Sequence, residues 1–127
     1  MRLAEAAALT SEDMYHKVGA AILRKDGSVC GVGYNGQPPG ITLSGSEKNN
    51  RDERRQVTVH AESNALAFCK PGEPYLLATT LPPCERCIVE AARYGIKIIT
   101  FKYSEDSRHQ PDFKLAQRLN VDLKVNI

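Results

Sequence analysis

Residues 57–95 read VTVHAESNALAFCKPGEPYLLATTLPPCERCIVEAARYG, and this stretch decides the fold. Val57–Val59 leads directly into His60–Phe68, whose Ala, Leu and Phe content suits a helix. Pro71 and Gly72 close that helix, and Tyr75–Thr80 reads as a strand. Pro82-Pro83 then begins a second helix over Cys84–Tyr94, because proline has the backbone angle of a helix start and lacks an N–H that would go unpaired there. Gly95 supplies the residue at which such a helix ends. Two strand-to-helix turns in succession predict an α/β protein.

The alternation continues in both directions. Upstream, Val18–Leu23 and Ser28–Tyr34 flank Lys25-Asp26-Gly27 and predict a β-hairpin, with Asp-Gly as the turn. The Ala- and Leu-rich residues 2–9 precede it as a helix. Gly36, Pro38, Pro39 and Gly40 end the hairpin in a loop that stays polar through Gln56 and contains the charged stretch Glu47–Arg55. Downstream come a strand over Ile96–Tyr103, a short helix over Pro111–Leu119 and a last strand over Val121–Val125. The order α-β-β-α-β-α-β-α-β predicts a three-layer α/β/α sandwich around a five-stranded mixed sheet. The connection between the last two strands contains a helix and is long enough to make them parallel.

The chain has 127 residues, which predicts a single domain over 1–127 with one core. A formal net charge of +2 is too small to drive nucleic-acid binding by bulk electrostatics, so no nucleic-acid partner is expected. Glu5, Glu12 and Asp13 interrupt the apolar N-terminal residues, and no later segment is apolar enough to cross a membrane. The expected location is therefore cytoplasmic, and in that reducing setting the four cysteines are not a disulfide framework. Cys30 and Cys69 stand alone in apolar surroundings and read as buried thiols. Cys84 and Cys87 form a C-x-x-C pair, which is metal-binding or redox-active.

Two short motifs carry the chemistry: His60-Ala61-Glu62 and Pro83-Cys84-Glu85-Arg86-Cys87. One His and two Cys are three zinc ligands of suitable softness and leave one tetrahedral position open, as a catalytic site requires. His16 and His109 lie at no spacing that would close the site structurally. Both motifs fall at expected helix N-termini, where unpaired N–H groups and the positive end of the helix dipole stabilise thiolates. The C-x-x-C spacing puts both sulfurs on one face of a first helical turn. Glu62 follows His60 by two residues and, in a first turn whose axis points at the metal, can reach water bound there. Zinc lowers the pKa of such water towards ~7, which makes hydroxide available near neutral pH. Glu62 would take the water proton, pass it to a ring nitrogen and then to a departing amine.

H-x-E followed by P-C-x-x-C is the signature of zinc deaminases. Over roughly residues 17–103 the chain resembles the cytidine and deoxycytidylate deaminase superfamily, through Val18-Gly19-Ala20, Gly33-Tyr34-Asn35-Gly36 and the two zinc motifs. GYNGQPPG and HAESNAL look most like the deoxycytidylate (dCMP) deaminases within it. The resemblance implies a cytidine deaminase-like fold, one zinc per chain, a small nucleotide substrate deaminated from dCMP to dUMP, and a homo-oligomer, dimer or hexamer. It implies that Asn35 hydrogen-bonds the sugar hydroxyl, a task for which an amide can both donate and accept, and that Ala61 and Glu62 meet the base edge. Asn35 could instead be only a turn residue before Gly36. Tyr34 and Tyr103 flank the ring or sugar, or simply pack at strand ends. Arg54 and Arg55, with Arg51, Lys102 and Arg108, are candidates for a 5′-phosphate, although Glu47, Asp52 and Glu53 interleave with the first three in what could be a solvated loop. Between Gly40 and Val57 the chain is short where larger family members carry an insertion, so their allosteric control is not carried over. Competing readings are deamination of another nucleoside, a nucleobase or a tRNA adenosine, and a non-catalytic zinc-binding module.

Overall fold

The computed structural model of the chain describes residues 1–13, 16–37, 58–103 and 110–126. Its elements follow the expected order: α1 (Arg2–Ala8), β1 (Gly19–Leu23), β2 (Val29–Tyr34), α2 (Ala61–Leu66), β3 (Leu76–Thr79), α3 (Glu85–Tyr94), β4 (Ile98–Phe101), α4 (Phe113–Arg118) and β5 (Asp122–Val125). Several are shorter than their sequence patterns. The last turns of α2 and α4 and the flanks of β4 make hydrogen bonds outside the regular ladders.

The hairpin turn is built as its residues require. Gly27 adopts φ 89°, and Asp26 Oδ1 accepts from the Ser28 amide at 2.9 Å and the Ser28 hydroxyl at 2.6 Å. β1 pairs antiparallel with β2 on one side and with β3 on the other. α3 and α4 then carry the chain back across, so β3, β4 and β5 run parallel. The result is a five-stranded mixed sheet in the order β2-β1-β3-β4-β5.

Strand alternation divides the core between the two faces of the sheet. Ala20, Ile22, Leu77, Ile99, Phe101 and Leu123 face one way and join Ala61, Ala65 and Leu66 of α2, Ile88 and Ala91 of α3, and Ala116 of α4. Ala21 and Ala78 face the other way, under Ala4 of α1. One helix on one face and three on the other complete the three-layer sandwich. Cys30 and Cys69 are core residues, as expected, and burial pushes the Cys69 thiol up to about 12. Gly95, at φ 97°, ends α3 in the left-handed conformation. Asp112 caps α4 by accepting from the Leu115 amide at 3.0 Å.

The sheet meets α2 at unusually short range. Gly31 and Gly33 lie on the face of β2 that α2 covers, and a Cβ at Gly33 would stand 2.5 Å from Ala65 N and 2.8 Å from Ala61 O. Backbone atoms cannot yield as a flexible side chain would. Gly33→Ala should therefore destabilise the fold by about 1–3 kcal/mol or more, the cost of overpacking. Gly36→Ala, where an added Cβ meets nothing within 4 Å among the described residues, should stay within about 0.5 kcal/mol of the parent. Urea unfolding of the two variants checks this, and equal midpoints would show that α2 can move away from the sheet without cost.

Candidate metal centre

His60 and Cys84 occupy equivalent places. Each is the extended residue just before a helix, His60 at φ −67°, ψ 151° before α2 and Cys84 at φ −73°, ψ 167° before α3. Both helices thus begin one residue later than their patterns suggest, and these two residues sit in the turns rather than in the helices. Cys87 follows in the first turn of α3. His60 Nδ1 lies 3.3 Å from Cys87 Sγ and 3.5 Å from Cys84 Sγ, and the two sulfurs are 3.5 Å apart.

These separations suit a shared ion. Zn–S bonds of ~2.3 Å and a Zn–N bond of ~2.0–2.1 Å at tetrahedral angles give edges of ~3.8 Å between sulfurs and ~3.6 Å between nitrogen and sulfur. Among the described residues, His60, Cys84 and Cys87 are the group whose ligand atoms converge, all within 4.8 Å of one another. The donor set is that of zinc, and three donors leave the fourth position open. Burial increases across the group, from exposed His60 through half-buried Cys84 to buried Cys87, so the site opens to solvent on the histidine side.

Its electrostatics already favour a thiolate. A hydrogen bond from the Cys87 thiol and another from His60 push Cys84 down to about 3, against the cost of its partial burial. The same shared proton raises the Cys87 pKa, with burial and the neighbouring Glu62 charge adding to it. A zinc ion supplies the positive charge that lets both sulfurs ionise. Hydrogen bonding to Cys84 raises the pKa of His60 in turn.

Glu62 is 5% exposed, and burial raises its carboxyl pKa against the opposing hydrogen bond from Cys87. Ala61 beside it is fully buried. Two contacts that no motif announces hold this helix start in place. Ser63 Oγ donates to Glu90 Oε2 at 2.7 Å and ties α2 to α3. Asn64 Nδ2 donates to the Tyr34 carbonyl at 2.8 Å and ties α2 to the end of β2. Both partners are distant in sequence, so only the serine and asparagine themselves, polar residues early in an apolar helix, could have hinted at them.

Gly36, which follows Asn35, is joined to Val59, the residue before His60, by a two-bond bridge: Val59 N donates to Gly36 O at 2.8 Å and Gly36 N to Val59 O at 3.1 Å. The turn after β2 is thereby set beside His60. The Asn35 side chain is buried, its Oδ1 accepting from Ser11 Oγ at 2.8 Å and from Val18 N at 2.9 Å, while Nδ2 donates to His16 O at 2.8 Å. Tyr34 and Tyr103 are 41% and 40% exposed, and the Tyr103 hydroxyl donates to Gln110 Oε1 at 2.8 Å. Lys102 is engaged in an exposed ion pair with Glu5 at 2.8 Å. Arg54 and Arg55, with Arg51 and Arg108, lie outside the described residues.

Comparisons with known proteins agree with this geometry. Residues 1–103 match the model of the cytidine and deoxycytidylate deaminase zinc-binding region. A deoxycytidylate deaminase of Mycobacterium phage D29 is 36% identical over 115 residues, covering 78% of this chain and 88% of its own. A probable deoxycytidylate deaminase of Caenorhabditis elegans is 30% identical over 84% of this chain, which spans 56% of that relative's length. The crystal structure of the dCMP deaminase of cyanophage S-TIM5 in complex with dCMP and dUMP superposes with a TM-score of 0.80 at 26% identity, covering 98% of this chain and 92% of that one.

Elemental analysis of the purified chain should find about one zinc per chain. Cys84→Ala and Cys87→Ala should each lose most of it, and with it a large part of the stability, because metal binding and folding are coupled. Full occupancy in either variant would remove that cysteine from the ligand set.

Proposed function

Since this chain belongs to the cytidine and deoxycytidylate deaminase family, we propose that it hydrolyses dCMP to dUMP and ammonia. The observation that carries the reading is the convergence of His60, Cys84 and Cys87 with one position open beside a buried carboxyl, Glu62. A module that merely used zinc to fold would have no use for that acid or for the open position. The bound zinc ion supplies Lewis acidity, which makes water acidic enough to lose a proton near neutral pH.

Glu62 does the proton work in this reading. Its carboxylate takes the proton of the attacking water and delivers it to the ring nitrogen as C4 becomes tetrahedral. It then carries the second proton to the amino group, which leaves as ammonia, so water and dCMP yield dUMP and ammonia in balance. Burial suits this double duty, because a raised pKa lets the group hold a proton during turnover and still release it. Ala61, fully buried against the sheet, sets the height of the base edge. Asn35 takes the sugar hydroxyl, Tyr34 and Tyr103 flank the ring or sugar, and cations such as Arg54 and Arg55 take the 5′-phosphate.

That the phage D29 and S-TIM5 relatives are dCMP deaminases favours dCMP over a free nucleoside, a purine base or tRNA. The reading includes one domain over 1–127, assembly as a homo-oligomer, and a cytoplasmic protein. No helix among the described residues is long and apolar enough to cross a membrane.

Glu62→Gln should keep its zinc and lose about 10²–10⁴-fold in kcat, the usual worth of general acid–base catalysis. Turnover within a few-fold of the parent would remove Glu62 from the chemistry. Ammonia release should also show kcat/KM for dCMP at least about tenfold above that for deoxycytidine, or ~1.4 kcal/mol. A smaller ratio would mean that no phosphate site exists.

A further inference from the structure

We propose that Ser11 is a positioning residue for substrate recognition: it helps to lock the Asn35 carboxamide so that Asn35 can meet a ligand only as a hydrogen-bond donor. The inference rests on the dCMP reading above and concerns one group of that substrate, the 3′-hydroxyl, which is the single free hydroxyl of dCMP.

The amide's orientation is dictated by backbone groups that cannot reverse their roles. Val18 N–H can only donate, so the atom 2.9 Å from it is Oδ1. The His16 carbonyl can only accept, so the atom 2.8 Å from it is Nδ2. Ser11 completes the arrangement. Its hydroxyl oxygen accepts from the Asp13 amide at 3.2 Å, and its one proton is shared by two Asn35 acceptors, with Oγ 2.8 Å from Oδ1 and 3.0 Å from the main-chain carbonyl. Ser11 is 1% exposed and Asn35 8%, so water does not readily replace these bonds.

The hydrogen-bond inventory of Asn35 then closes. Oδ1 has two lone pairs and two donors, and Nδ2 has spent one of its two hydrogens. One Nδ2–H remains. On this reading the amide meets a sugar hydroxyl with its donor alone, because its accepting capacity is used within the protein. A sugar oxygen must accept from Nδ2 and give its own proton elsewhere. Removing the Ser11 hydroxyl releases one of the three ties on the carboxamide. It also frees an Oδ1 lone pair, and the amide loses its single fixed polarity.

The test uses zinc-loaded full-length protein and two substrates, dCMP and 2′,3′-dideoxycytidine 5′-monophosphate, which lacks the 3′-oxygen. Ser11→Ala should raise KM for dCMP by about 5–30-fold with kcat within about threefold, as expected for a binding contact worth one hydrogen bond. For the dideoxy substrate, whose missing oxygen makes the tie irrelevant, the further loss should stay below about twofold. Ser11→Thr, which keeps the hydroxyl, should restore discrimination between the two. If Ser11→Ala does not fold, Asn35→Asp replaces it: this variant keeps Oδ1, gives up the bond to the His16 carbonyl and turns the remaining donor into an acceptor, and it should lose the preference for dCMP. Equal losses on both substrates, a loss confined to kcat, or a fall in zinc content would overturn the positioning role of Ser11. A parent protein that releases ammonia from neither substrate would instead overturn the dCMP reading, and this inference with it.

Discussion

Backbone packs directly on backbone where β2 crosses α2. With hydrogen in place of side chains at Gly31 and Gly33, the main chain around Ala61 and Ala65 comes within a distance that no Cβ could occupy. That approach sets the depth of α2 and therefore the position of the residue before it and of its second residue. His60 is held at the mouth of the site and Glu62 in its wall. The Gly36–Val59 bridge and the Asn64–Tyr34 bond continue the same seam, so the turn after β2 has little freedom relative to the metal ligands.

The second half of the centre arrives on α3, and its charge balance depends on where that helix begins. Cys84 stands in extended conformation before the first turn and Cys87 within it, and the Cys87 main-chain N–H donates to the Cys84 sulfur. A negative site is thus prepared before a cation enters. Ser63, near the start of α2, and Glu90, midway along α3, connect the two helices across the gap, which keeps the histidine and the cysteines in register although they come from separate segments.

The order of elements was readable because each pattern is local: Asp-Gly for the hairpin, proline before α3, glycine after it. The ligand trio and Glu62 were readable because their spacing is short and their chemistry restrictive. What escaped were the bonds between residues far apart in the chain. Nothing near Asn35 announces that Ser11, which is 24 positions away, occupies one lone pair of its amide. The same holds for the links from Ser63 to Glu90 and from Asn64 to Tyr34. The one-residue delay of both helices also escaped, because a ligand's need for an extended backbone leaves no mark on helix propensity.

β5 ends the sheet among the described strands, and its composition bears on behaviour in a crowded solution. An outermost strand presents unpaired N–H and C=O groups that could template another chain. This one is only four residues long, and Asp122 and Lys124 lie on its exposed side, 3.3 Å apart as an ion pair. Such a pair adds little to stability. Any strand docking there would have to strip water from both charges, so that border of the sheet resists fibrous growth and leaves association to other surfaces.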